Sequence, residues 1–243
     1  MSKQSQTVCL WAGLSSIVLF FIGYWFMAGL VPPPSPNATA HAIQRFWNHD
    51  VTLTRSGLVV TMFAGTLTAP WVAVIAVQMK RIEGEHSPYT WTQLGLGMLG
   101  VLLFILPAIV MQAILFRPQR DPNLLLLLDD MAWLPFIGLF MPASVQSIAL
   151  GLAIFQDKEQ KVFPRWLGYF NIWIALLFLP DVLIYSFKTG PFAWNGIFGF
   201  WLPLSTFGVW FVVMFPYLRK AIRAQAAEES PAGMAASPVA VTA

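Results

Sequence analysis

The chain has 243 residues, of which 57% are hydrophobic and only 10% charged, and its mean hydropathy is +0.66. Soluble domains carry roughly a quarter charged residues, so this balance excludes an ordinary soluble enzyme and points to a protein embedded in the lipid bilayer. The net charge of +3 is explained by basic residues at helix ends, and no clustered basic face suggests a nucleic-acid partner.

Residues 8–31 form one apolar run after the lone Lys3. Its length of about 24 residues exceeds the roughly 20 needed to span a bilayer and the core of a leader peptide. A signal anchor is therefore favoured over a cleaved leader. The runner-up cleavage point, after Ala40 in the small-x-small triplet Ala38-Thr39-Ala40, lies far beyond the apolar run. Cys9, within that run, is the sole cysteine and reads as a small buried hydrophobe.

Pro32-Pro33-Pro34-Ser35-Pro36 then stops the helix as an extended polyproline stretch. Beyond it, Ile43, Phe46 and Trp47 fall near one helical face while His41, Arg45 and His49 repeat every four residues on another. This predicts a short amphipathic helix lying on the outer membrane surface. His41 and His49 are two turns apart, too distant to share a metal ion on a straight helix, and no metal site is assigned.

Further apolar segments at 57–78, 91–116, 131–155, 166–187 and 196–218 bring the total to six. The expected fold is all-α: an integral membrane bundle of six transmembrane helices with a short outer interfacial helix, spanning 1–223. Residues 224–243 read as a disordered cytoplasmic tail. The leucine run at 124–128 is too short to cross; it lies along the outer interface or starts the fourth helix early, and Asp129 or Asp130 caps that helix.

Lys and Arg counts orient the bundle. Lys3, Lys80, Arg81, Lys158, Lys161, Arg165, Arg219, Lys220 and Arg223 collect on one side, against Arg45, Arg55, Arg117, Arg120 and Lys188 on the other. Both termini are therefore expected in the cytoplasm; a cleaved leader would leave five spans and an external N-terminus.

The last five spans contain Pro70, Pro107, Pro135 with Pro142, Pro180 and Pro203. Each proline frees a backbone carbonyl, which neighbouring helices or a cavity must satisfy. The more selective signals are polar side chains inside the spans: Gln112, Ser144, Gln146, Ser147, Asn171, Asp181, Tyr185, Ser205 and Thr206. Asp181 directly follows Pro180, and an aspartate in lipid needs a partner, a proton or water. Tyr185, four residues on, shares its helix face. Trp11, Trp25, Trp71, Trp91, Trp166, Trp194 and Trp210 read as interfacial belts, whereas Trp133, Trp173 and Trp201 lie further in and can wall a pocket.

The sequence contains no zinc-protease, phosphate-loop or serine-hydrolase motif, and nothing in it requires a cofactor. The leading hypothesis is an outward-facing site that binds, transports or senses a small apolar or amphipathic compound. Asp181, Tyr185 and Asn171 supply its polar groups, Trp133 and Trp173 its walls, and Arg117, Arg120 and Lys188 its countercharges. A membrane enzyme with Asp181 as a buried acid, and a non-catalytic subunit of a larger complex, are the alternatives.

The stretches VPPPSP, RIEGE, VFPRWLGYFNIW and FKTGPFAWNGIFGFWLP together resemble uncharacterised six-span bacterial inner-membrane proteins found in actinobacteria and some proteobacteria. The resemblance covers most of the chain except its tail. It implies a six-helix bundle in the bacterial cytoplasmic membrane and brings no activity, ligand or catalytic residue with it.

Overall fold

The computed structural model describes residues 3–230. Helix α1, Lys3–Phe20, continues through a wider π-helical stretch, Phe21–Met27, and is followed by the short α2, Ala40–Trp47. Then come α3 (Val51–Glu83), α4 (Pro88–Phe116), α5 (Pro122–Gly138), α6 (Met141–Gln156) and α7 (Arg165–Leu177). After a 3-10 segment, Leu179–Tyr185, and a π-turn, Ile197–Trp201, α8 (Leu202–Glu228) closes the fold. With α5 and α6 joined, this gives six helices long and apolar enough to cross a membrane.

Local chemistry sets where these helices start. Asp50 Oδ1 accepts the Leu53 N–H at 3.0 Å, and Asp121 Oδ1 accepts the Asn123 N–H at 2.9 Å with Pro122 at the first helical position. The start of α4 is capped from a distance. The Glu83 carboxylate, last residue of α3, accepts the Tyr89 and Thr90 N–H groups at 3.0 and 2.6 Å, which places its charge at the positive end of α4. That contact also fixes the α3–α4 hairpin.

The spans form a ring in which α1 packs on α3, α3 on α4, α4 on α5 and α6, α6 on α7, α7 on α8, and α8 back on α1. Helix α3 also touches α6 and α8 and is the most buried span. Its 33 residues extend about 50 Å at 1.5 Å per residue, well beyond the roughly 30 Å hydrocarbon core. The buried side chains form two clusters. One gathers Leu10, Trp71, Met79, Leu150, Leu167 and Met214 near the termini; the other gathers Tyr24, Trp47, Leu58, Met111, Leu125 and Trp133 toward the opposite end.

Several details depart from expectation for identifiable reasons. The apolar face of α2 turns onto protein instead of lipid: Ile43 and Trp47 are each 1% exposed, and the helix packs on α5. The leucines at 124–128 start the fourth span early, one of their two expected placements, but because that span begins at Pro122 Asp129 lies inside the helix and does not cap it. Trp71, Trp194 and Trp210 are buried among helices and take no part in an interfacial belt. Helix α8 runs on to Glu228, so the expected tail begins as helix; residues 231–243 lie outside the described residues.

The contact of the π-helical stretch Phe21–Met27 with α3 is a backbone contact at Gly23. A Cβ on Gly23 would stand 2.7 Å from the Gly57 carbonyl oxygen and 2.9 Å from the Thr61 nitrogen, atoms that cannot rotate away. Gly23→Ala should therefore destabilise the bundle by about 1–3 kcal/mol, the usual range for overpacking. Gly95→Ala, where nothing lies within 4 Å, should be neutral or stabilising by up to about 1 kcal/mol through helix propensity. Unfolding midpoints of both variants in detergent check this.

Candidate functional site

The α-helical backbone is interrupted at three places around the interior of the bundle. Between α5 and α6 the chain leaves the helix at Leu139 and Phe140. Helix α7 stops at Leu177, and Pro180 then sits in the first turn of the 3-10 segment. The entry to α8 is the π-turn after Gly196. Proline accounts for the second break, since Pro180 has no N–H to continue the α-helical ladder. Irregular backbone within a membrane bundle is tolerated where it is packed in protein or lines a cavity.

A cavity of about 180 Å³ lies among these breaks and the middles of α3 and α4. It falls where the two buried clusters meet: Phe20, Phe136 and Phe200 border it from one, Phe178, Trp210 and Phe211 from the other. The wall is apolar apart from Asp181, Gln146, Thr68 and the indole of Trp210. Two of these are already committed. Thr68 Oγ1 donates to the Gly65 carbonyl at 2.6 Å, and Trp210 Nε1 donates to Asn171 Oδ1 at 2.8 Å. Asp181 is 1% exposed, and its Oδ1 has no hydrogen-bond partner.

The predicted site residues divide into three groups. Only Asp181 reaches the cavity. Asn171 stands behind the wall with both ends of its amide satisfied: Nδ2 donates to the Leu167 carbonyl at 2.8 Å, and Oδ1 fixes the Trp210 ring from across the α7–α8 interface. Tyr185 is half-exposed and lays its phenol on Gly138, where the absence of a Cβ leaves room at the α5–α6 break. Trp173 points away from the bundle and is 59% exposed.

The predicted countercharges sit apart from Asp181. Arg120 Nη1 donates to the Ala113 carbonyl at 2.6 Å, and Arg55 Nη2 donates to the Leu115 carbonyl at 2.7 Å; these are orphan carbonyls of the last turn of α4. Arg117 is the exposed residue that ends α4, and Lys188 is exposed in the loop after the 3-10 segment. Among the described residues the side-chain ion pairs are Arg81–Glu228 and Lys161–Glu159, neither of which involves Asp181.

Trp133 belongs to a second polar centre that the sequence does not reveal. Asp129 is fully buried, and its Oδ1 accepts the indole N–H of Trp47 at 2.8 Å and of Trp133 at 3.1 Å. Trp133 is one turn further along α5, whereas Trp47 is 82 positions away in sequence, on α2. The carboxylate thus clamps the short helix to the bundle. The remaining Asp129 oxygen and the Tyr24 hydroxyl are both buried without a partner, and Tyr24 stacks at 5.1 Å on Phe136, a residue of the cavity wall.

No family model matches this chain, and neither the curated proteins nor the solved structures contain a significant match to it. The fold and the site therefore stand on their own chemistry.

The Asp129 clamp can be checked directly. Asp129→Asn keeps an oxygen for both indoles and should change stability little. Asp129→Leu strands two buried N–H groups and should cost about 2–6 kcal/mol, at about 1–3 kcal/mol for each unsatisfied donor. Unfolding in detergent, together with protease sensitivity of the loop that carries α2, separates the two outcomes.

Proposed function

We propose that this protein resides in the bacterial cytoplasmic membrane with both termini in the cytoplasm, and that its mid-bundle cavity takes up a small amphipathic compound anchored by Asp181. The observation that carries this reading is an unpartnered, buried carboxylate oxygen bordering an otherwise apolar cavity. Small-molecule sites combine apolar walls with a few placed polar groups in this way. An ionisable side chain within a membrane span is by default a functional candidate. The asymmetry of Lys and Arg between the two ends supports the orientation, and the resemblance to six-span bacterial inner-membrane proteins supports the location.

The cavity is slightly larger than a dry protein cavity of about 150 Å³ known to accept benzene, so the expected occupant is about one ring with a short polar arm. An enzymatic role would need a second polar group within reach of the substrate. The other uncommitted polar side chain on the wall is Gln146, an amide that can neither give nor take a proton as a general acid or base. The geometry therefore favours binding over catalysis.

Gly100 borders the cavity and has nothing within 4 Å of the position its Cβ would take. Gly100→Phe should fill the space without a backbone clash, keep the unfolding midpoint, and weaken binding of small aromatic amphiphiles by about tenfold or more, equivalent to about 1.4 kcal/mol. Titration into protein in lipid nanodiscs, followed by tryptophan fluorescence, measures this. For the orientation, a reporter fused to the C-terminus should be active only in its cytoplasmic form.

A further inference from the structure

We infer that the occupant of the cavity is a monovalent organic cation, an ammonium carried on an aromatic or compact apolar body; this rests on the binding reading above. Three observations fix the sign. The ionisable side chain on the wall is an acid, and none of the described lining residues is Lys, Arg or His. The protein's own cations stand outside the wall: Lys188, seven residues on, and Arg117 are exposed, and neither forms an ion pair with Asp181 among the described residues. Arg55 and Arg120 cap the end of α4, and Arg81 is held by Gln78, the Ala221 carbonyl and Glu228 near the termini. The unpartnered Asp181 oxygen therefore has no cation of the protein's own to answer it.

The walls favour the same sign. Nine of the lining residues are aromatic, eight phenylalanines and Trp210. Aromatic faces carry negative charge density and attract ammonium groups, more strongly where water is excluded. An anionic ligand would meet repulsion from both the acid and the rings. A neutral hydrogen-bond acceptor could use a protonated Asp181 but would gain nothing from the aromatic faces. An ammonium donates to the free carboxylate oxygen while its apolar body occupies the rest of the space, so one ligand class satisfies every feature of the wall.

The wall also separates charge from orientation. Trp210 is pinned by Asn171, so its ring is a fixed surface, whereas Asp181 presents a buried oxygen with no hydrogen-bond partner for the ammonium.

The decisive experiment compares 2-phenylethylammonium with propylbenzene, which has the same shape with a methyl group in place of the ammonium. Both are titrated into wild-type protein and Asp181→Asn in nanodiscs of zwitterionic lipid, read by tryptophan fluorescence and by calorimetry. Nanodiscs without protein correct for partitioning. The expected result is that wild type binds the ammonium about tenfold or more tightly than propylbenzene, given the strength of charge-assisted contacts. Asp181→Asn should lose that preference while keeping its affinity for propylbenzene.

Equal binding of the two compounds by wild type overturns the cationic assignment and leaves the cavity reading in place. An ammonium preference that survives Asp181→Asn overturns the role of Asp181. Failure of both compounds to bind wild type overturns the cavity reading itself, and binding of propylbenzene alone overturns the cationic assignment. The wild-type comparison decides the sign even if Asp181→Asn does not fold.

Discussion

A carboxylate inside a bundle that lies in hydrocarbon must be met by a donor, a proton, water or a ligand, and the architecture of this protein can be read from how its two buried acids are treated. Asp129 is met by protein: two indole N–H groups converge on one oxygen, and through them the short helix α2 is held against α5. Asp181 is met by space, on a segment where the helix has already been broken by Pro180. One acid fastens the fold and the other borders the cavity. The difference comes from their surroundings, since the residue type is the same.

The same economy governs the backbone. Where a helix ends within the bundle, its orphan carbonyls are taken by side chains from neighbours. Ser144 Oγ donates to the Ala175 carbonyl at 3.3 Å near the end of α7, and arginines serve the end of α4. Such local repair lets three irregular segments meet inside the bundle without exposing peptide groups to lipid. Their meeting point is also the boundary between the two packed clusters, so the cavity occupies the place where neither cluster extends.

Much of the architecture was legible in the sequence because lipid imposes a simple rule, that spans must be long and apolar. The six spans, the short helix after the proline stretch and the interest of Asp181 all follow from that rule. What stayed hidden was partnership. Trp47 and Asp129 are separated by 82 positions, and no periodicity connects them, so Asp129 reads as a cap. The phenylalanines of the cavity wall are chemically identical to those facing lipid: Phe104 borders the cavity while Phe63 and Phe116 are exposed. The tryptophans misled for a similar reason, because a ring near a helix end suits the membrane interface and the bundle interior equally well. Asn171 read as a ligand group because its amide can bond four ways, and only the packed structure shows those bonds already used within the protein.

Near the termini, Gln78 donates to Gln6 and Gln225 at 2.6 and 2.9 Å, Gln6 donates to Gln225 at 2.9 Å, and Arg81 joins the group by donating to Gln78 at 2.7 Å. This knot ties the first span to the last, across 219 positions of chain. During synthesis the first helix enters the membrane long before its partner in α8 exists. Its amide at Gln6 must then stay at the water-facing end or borrow other partners until α8 has been made. The ring is thus sealed late and from one end, and a nascent chain stalled just before Gln225 would hold every apolar segment yet lack this seam.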